Sequence, residues 1–596
     1  MHPFQCCLKP ESFKLQPEKR GFRFIPIDWE TKSIRLLAGR GDWAAFQIVM
    51  KDGGDYAVNA GREPYFSQAL HRTVLRAEAA WSTPSAPPVT LRLIGALPDD
   101  DGFPKGDILL QQDVMECAAE EPSALWAEIR TGADTPPGLY EGCVRLYRSH
   151  MFETETLLET LPFTLEVIDY RMPVPGEYRF HLDLWQHLSN IARKHDVRLW
   201  SEEHFQVLEP YVRSLAALGQ KAVTVLASQV PWRGQSCFYE QRTPANLFEY
   251  SPIAVYRQAD GSFTYDFTAM QTYIDLCFRY GIDKEIELFG ITSIWTDERA
   301  GFTRLAPDYP DAMKVRYLDR ATGLYGYMDT AADLIGYVRA IEAYFIGRGL
   351  IDRVRVVADE PQDHDDLRKS LRLLREIAPS FRFKAAINQA AMVEEFSGDI
   401  DDFVPYLSCV AYEWPRLDGY RRQWPDKRFL WYVCLSPPYL NTLLSSGLLE
   451  GRLIGILTSY MRFAGFLRWN YTVWGADPRR DVRYAAFPAG DTNFVYPAYN
   501  GSVLLSLRYY ALKRGIEDYE LLERYRSLYG DERTDALISL VLRQPDMARY
   551  AVRDTHENIT AGDLLSQDPD DYNRLRRLLL EGLCHENTIN EGWNPQ

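Results

Sequence analysis

The chain has 596 residues, enough for roughly three or four domains or for one large barrel with flanking modules. Hydrophobic residues make up 46% and charged residues 25%, which excludes a disordered or collagen-like chain. Lys and Arg number 67 against 83 Asp and Glu, a net charge of −16, so neither a nucleic-acid backbone nor an anionic membrane surface is expected as the principal partner.

Residues 1–20 hold Cys6-Cys7 and several charges but no apolar run long enough for a signal peptide, and the expectation is a cytoplasmic protein. The most apolar later stretch, 443–469, is broken by Glu450, Arg452 and Arg462 and does not read as a membrane span. Nine cysteines without CxxC pairs point to buried thiols and against a disulfide framework or a zinc ribbon. From 22 to 169, short β-like runs at 43–49, 89–94, 125–129, 143–147 and 163–167 alternate with turn chemistry such as Thr135-Pro136-Pro137-Gly138, which predicts a β-sandwich. Asp99-Asp100-Asp101-Gly102 is too short for a calcium loop and reads as a turn. Met172-Pro173-Val174-Pro175-Gly176 cannot continue a sheet interior, so the sandwich domain is assigned to 1–172.

Beyond that point the pattern becomes strand, helix, strand. Eight strands are predicted at 178–185, 222–228, 285–292, 354–360, 381–388, 407–412, 429–435 and 465–471. Helices are predicted over 203–218, 267–280, 331–348, 365–377, 449–463 and 502–514. Together they make a (β/α)8 barrel over 173–515, and the charged, helix-prone segment 516–596 is expected to pack as helices on its exterior.

In such a barrel the reacting groups sit at the carboxyl ends of the strands. The fourth strand runs directly into Asp359-Glu360-Pro361, where the proline ends the ladder just past two acids. The same dipeptide at Asp297-Glu298 and Asp531-Glu532 lies between elements and in the tail, where solvated surface charge is the better reading. Other strand ends supply His181, Asp183, Trp185 and His187, then Asn388, then Tyr412, Glu413 and Trp414, and finally Trp469, Asn470 and Tyr471. The tryptophans at 185, 414 and 469 suit ligand contact or core packing equally, Trp431 and Tyr432 read mainly as outward packing, and the two histidines as structural. Asp363 to Asp366 reads as the acidic cap of the next helix. Carboxylates ringed by indoles and amides suit a carbohydrate, and no metal or organic cofactor is implied.

At Asp359-Glu360-Pro361, Trp469-Asn470-Tyr471, Ala489-Gly490-Asp491 and Arg514-Gly515-Ile516-Glu517-Asp518-Tyr519, the chain resembles glycoside hydrolase family 123 and, more closely, relatives of that family of similar length. The resemblance covers most of the chain. It implies a retaining exo-β-N-acetylgalactosaminidase in which the substrate's 2-acetamido oxygen attacks the anomeric carbon. Asp359 would orient the acetamido N–H and Glu360 would protonate the leaving oxygen, with adjacency keeping Glu360 protonated and Asp359 charged. Asn388, Tyr412 and Glu413 are then assigned to hydroxyl or acetamido contacts, Trp414 and Trp469 to pocket walls, and Tyr471 to the acetamido oxygen. Asp183 and Trp185 complete the substrate-binding set. The partner is a small glycoside or oligosaccharide, with no nucleic acid and no membrane, and homo-oligomerisation is left open. Two alternatives stand beside this reading. One is a glycosidase for a sugar lacking the acetamido group, with Glu413 or Asp183 facing Glu360. The other is a carbohydrate-binding barrel without activity.

Overall fold

The computed structural model describes residues 4–16, 27–63, 73–82, 85–151, 153–229, 249–292, 313–361, 363–484, 487–551 and 561–591. Within them the N-terminal domain is a sandwich of a five-stranded and a six-stranded sheet. The first orders Gln5–Pro10, Trp43–Lys51, Ser123–Arg130, Val89–Pro98 and Pro104–Leu109. The second is centred on the long hairpin of Gly138–His150 and Thr156–Arg171. Side chains alternate along Trp43–Lys51: Ala44, Phe46, Ile48 and Met50 fill the sandwich core, while Trp43, Ala45 and Val49 join the core shared with the barrel. This strand is buried on both faces, so its sequence is apolar from Trp43 to Met50 apart from Gln47, whose amide donates to the Phe13 carbonyl.

Eight parallel strands follow: β1 His181–Leu184, β2 Ala222–Leu226, β3 Glu285–Phe289, β4 Val354–Asp359, β5 Arg382–Ile387, β6 Asp402–Pro405, β7 Arg428–Tyr432 and β8 Gly465–Arg468. They pair in the order β1-β8-β7-β6-β5-β4-β3-β2. The helices outside them are α1 Glu202–Ala217, α2 Thr268–Arg279, α3 Ala331–Gly347, α4 His364–Ile377, α5 Ala391–Glu395, α6 Trp414–Gln423, α7 Leu448–Met461 and α8 Leu507–Tyr529. Asp363 caps α4 by accepting from the Asp366 N–H at 2.9 Å.

The seam between β1 and β2 carries one backbone bridge, Leu182 with Gln220. Side-chain amides stitch the rest. Gln220 Oε1 accepts from the Leu184 N–H at 2.9 Å and Gln186 Oε1 from the Thr224 N–H at 2.8 Å.

Two sequence expectations change. Leu407–Tyr412, expected as the sixth strand, is a helix, and the strand is the short Asp402–Pro405 before it. Leu407 to Ala411 is buried throughout, a pattern that strand and helix share. The boundary drawn at 515 falls inside α8, which runs on to Tyr529 before helices Asp531–Ile538, Ala561–Leu564 and Pro569–Glu591. An inserted four-stranded sheet of Phe263–Asp266, Ala254–Arg257, Arg316–Asp319 and Tyr325–Tyr327 accompanies β2 and β3.

Sandwich and barrel are bolted together by buried charge. Arg514 of α8 reaches Glu11 at 3.0 Å and Asp42 at 3.3 Å in the sandwich and Glu517 at 3.2 Å on its own helix. Asp42 also takes Arg576 at 2.7 Å, and Arg508 pairs with Asp107 at 3.0 Å. The helices α7 and α8 cross at two glycines, where a Cβ on Gly455 would lie 1.8 Å from the Gly515 carbonyl oxygen. Among the described residues no helix is long and apolar enough to cross a membrane, and none of the described cysteines forms a disulfide.

Candidate active site

The barrel interior is layered by charge. At the amino end of the strands Arg428 bonds Asp402 at 2.6 Å and His181 Nδ1 at 3.0 Å, and Arg355 reaches Asp402 at 2.7 Å. Above them Lys384, fully buried, bonds Asp183 and reaches Glu285 at 2.9 Å and Glu287 at 2.8 Å. These three carboxylates are spaced closely enough to hold a cation, and the ammonium fills that role. Burial and the Asp183 charge push Glu287 well above the usual carboxylate range, so it carries its proton among them. An apolar layer of Trp185, Leu226, Phe289, Val357, Ala386, Val404, Leu430 and Leu467 seals the charges from the mouth.

Two acids stand above that seal at the carboxyl end of β4. Val357 faces the interior, so alternation points Asp359 the same way one step higher and would send Glu360 outward. The backbone at Glu360 breaks the alternation. Its φ is +44°, in the left-handed region, at a cost of about 1–2 kcal/mol for a residue other than glycine. Its N–H still bonds the Ala386 carbonyl at 3.2 Å, and its carboxylate accepts from the Tyr432 hydroxyl. Burial and the charges of Glu360 and Asp359 hold that phenol well above its ordinary range, so it stays a donor. Glu360 is thereby turned to an inward-facing tyrosine at the same mouth as Asp359. Burial and the neighbouring Glu360 push the Asp359 carboxyl well above its ordinary range.

Trp469 follows β8 at the same mouth. Its ring stands edge-on to His187 at 6.2 Å and lies 5.0 Å from Phe487, and its indole N–H donates to Asp491 at 3.3 Å. Asp491 is buried and is held by Arg468 at 2.7 Å, while its backbone oxygen accepts from Asn470 at 2.6 Å. Gly490 allows this turn, with φ at +82° and no room for a Cβ beside the Leu444 N–H. Asp100, in the sandwich turn, accepts from the Ala489 N–H at 2.8 Å. His187 is buried, which lowers its pKa to about 3 and keeps it neutral against the indole.

The predicted residues divide accordingly. Asp359, Glu360 and Trp469 share the mouth, and Asn388 follows β5 at the same end, half-buried. Asp183 lies below the apolar seal with Lys384, and Trp185 belongs to the seal itself, 4.7 Å from Phe289. The misplaced sixth strand carries Tyr412, Glu413 and Trp414 away. Tyr412 is exposed, Glu413 accepts from the Ala390 N–H at 2.9 Å and pairs with Arg416, and Trp414 packs outside the barrel on Phe463. Tyr471 is buried against α1, sharing a 2.7 Å hydrogen bond with Ser214. Asp297-Glu298 lies outside the described residues.

Tyr432, read from the sequence as outward packing, faces the interior, and alternation offered the signal. Adjacent strand residues face opposite ways, and Trp431 turns outward to Thr458 of α7, leaving Tyr432 inside. Asp491 belonged to a noted motif with no role attached.

A family model described as glycoside hydrolase 123, catalytic domain, matches residues 185–525. Among solved structures, a family 123 glycoside hydrolase from Clostridium perfringens, whose structural analysis addressed glycolipid glycan hydrolysis, is similar at a TM-score of 0.71. The two chains are 16% identical, with 99% of each covered, and the likeness is one of fold through sandwich and barrel alike. A β-D-glucuronidase of Dictyoglomus thermophilum matches at a TM-score of 0.30 and 12% identity, covering 81% of this chain and 67% of that one. No curated protein sequence matches.

Proposed function

Because the chain belongs to glycoside hydrolase family 123, and so to the glycoside hydrolases, we propose that it is a retaining exo-β-N-acetylgalactosaminidase whose substrate supplies its own nucleophile. One observation carries this reading: Asp359 and Glu360 stand together at the end of β4, with Glu360 bonded to Tyr432, while among the described residues the other carboxylates named above are engaged elsewhere. Asp183 is committed to Lys384, Glu413 to Arg416 and Asp491 to Arg468. A pair of neighbouring acids with no opposed partner among the described residues suits a reaction in which the protein forms no covalent bond to the sugar.

In the first step the acetamido carbonyl oxygen bonds to the anomeric carbon as the glycosidic C–O bond breaks. Glu360 gives its proton to the departing oxygen, and the sugar becomes an oxazolinium ion. Asp359 accepts from the acetamido N–H and, ionised, offsets the positive charge that develops there. In the second step Glu360 takes a proton from water, the water oxygen bonds to the anomeric carbon, and the ring opens to the β-configured product. The Tyr432 hydroxyl holds one Glu360 oxygen and leaves the other for proton transfer. Trp469 forms a stacking wall, fixed by Asp491.

The test is hydrolysis of para-nitrophenyl 2-acetamido-2-deoxy-β-galactoside with inhibition by a thiazoline mimic of the intermediate. Glu360→Gln should lower kcat by about 10²–10⁴-fold on alkyl glycosides. The loss should shrink on dinitrophenyl glycosides, whose leaving groups need no proton. Absence of turnover across 2-acetamido glycosides, with no thiazoline binding, would overturn the reading. Tight sugar binding without turnover would favour a binding barrel.

A further inference from the structure

A cavity of about 850 Å3 lies beyond β2, between the first turns of α1 and α2 and the inserted sheet. Residues that follow β2, Ala227 and Gln229, line it, so it opens at the same end of the barrel as the acidic pair. Asp359, Glu360, Tyr432 and Trp469 do not line it.

Its wall is locally basic in a chain of net charge −16. Arg198, Lys314 and Arg316 stand against Glu202 and Asp266, and Asp266 is committed to the α2 terminus, accepting from the Thr268 N–H at 2.9 Å. The amino ends of α1 and α2 add their positive poles. Arg316 is flanked by two rings, with its guanidinium carbon 4.8 Å from the centroid of Tyr250 and 4.5 Å from that of Tyr325. Among the described residues no carboxylate is paired with it. A stacked guanidinium keeps its in-plane N–H donors for a planar anion and loses little freedom on binding one. Tyr325 is 65% exposed, an unusual expense for a large ring. Tyr327 donates to Gln229 Oε1 at 2.7 Å, which leaves the Gln229 amide N–H groups for another acceptor.

We propose that this cavity is a second carbohydrate site, for a sugar unit bearing a carboxylate or a sulfate ester. Arg316 takes the anion, Tyr325 and Tyr317 present faces to the C–H surface of the ring, and Gln229 meets a hydroxyl. The volume falls within the ~300–1,000 Å3 of small-molecule sites. The choice of a sugar rests on the glycosidase reading, whereas the site and the sign of its ligand do not.

Isothermal titration of the full chain with methyl β-glucuronide, galactose 6-sulfate and uncharged methyl β-galactoside tests the proposal. At least one acidic probe should bind about tenfold or more tightly than the neutral sugar, as a charge-assisted bond requires. Which acidic probe wins identifies the anion. Arg316→Ala should bring that probe to the neutral level, and Arg316→Gln, which keeps the polarity of the side chain, should do the same if the alanine variant folds poorly. Glu360→Gln should leave the acidic-probe affinity unmoved. Equal affinity for acidic and neutral probes, or acidic binding that survives loss of Arg316, overturns the proposal. So does binding that Glu360→Gln abolishes, which would assign the probe to the catalytic mouth. Hydrolysis of aryl glycosides without acidic-probe binding sinks this site alone, and the converse sinks the catalytic reading alone.

Discussion

The left-handed turn at Glu360 brings two successive side chains to one opening, where an extended strand would have parted them. The arrangement has a thermodynamic signature. Burial and the Glu360 charge raise the Asp359 pKa in the folded state, so the fold favours its protonated form, and stability falls as pH rises from the unfolded value through the folded one. Asp359→Asn should therefore raise the melting temperature at neutral pH. It should also abolish the acidic limb of the kcat/KM profile, because the proposed reaction uses the ionised form. Melting curves and pH profiles of the two proteins check both outcomes. The acids themselves were legible, since a proline-terminated strand end singles out one of three Asp-Glu pairs. Asp183 and Tyr471 were not. Both sit within three residues of a strand end, but Asp183 lies a layer too deep and Tyr471 turns to the outer wall, a distinction in depth and face that spacing alone does not encode.

At the level of elements, seven of the eight barrel strands stand where alternation and turn signals placed them. The exception is instructive. Leu407 to Ala411 is buried on every side, and the true strand, Asp402–Pro405, is too short to show a period. Three site assignments moved with it. The inserted sheet was illegible for a related reason: its strands have three or four residues each and are largely half-exposed. Packing between elements is stricter than their pattern suggests. At the α7–α8 crossing a methyl group on Gly455 would meet backbone that cannot swing aside. Gly455→Ala should thus destabilise the protein by about 1–3 kcal/mol in urea titration.

Across the whole molecule, the motif running from Arg514 to Tyr519 helped carry the family resemblance, yet it lies far from the chemistry in its contacts and ties α8 to the sandwich. Arg514 also lies 3.8 Å over the Trp43 ring. Arg514→Met should cost roughly 3–5 kcal/mol, because a cation buried among Glu11, Asp42 and Glu517 is lost, leaving Asp42 with Arg576 and Glu517 with Lys513. Burial works to raise the Asp42 pKa, but Arg576 and Arg514 outweigh it and hold the carboxyl at about 2. Its folded pKa is depressed, so its contribution is whole above the ordinary carboxylate range and is lost as pH falls toward 2. In the methionine variant acid unfolding should begin at higher pH, as circular dichroism would record. The sandwich and the barrel were each readable from strand grammar, whereas their union was not, since ion pairs hundreds of residues apart leave no local trace. That union bears on how little of this enzyme could work alone. The Asp100 contact to Ala489 means that the stacking wall is braced from outside the family-matched segment, through Gly490 and Asp491. A barrel excised at residue 173 would keep its acids and lose its buttress, so the smallest unit able to turn over a glycoside includes the sandwich.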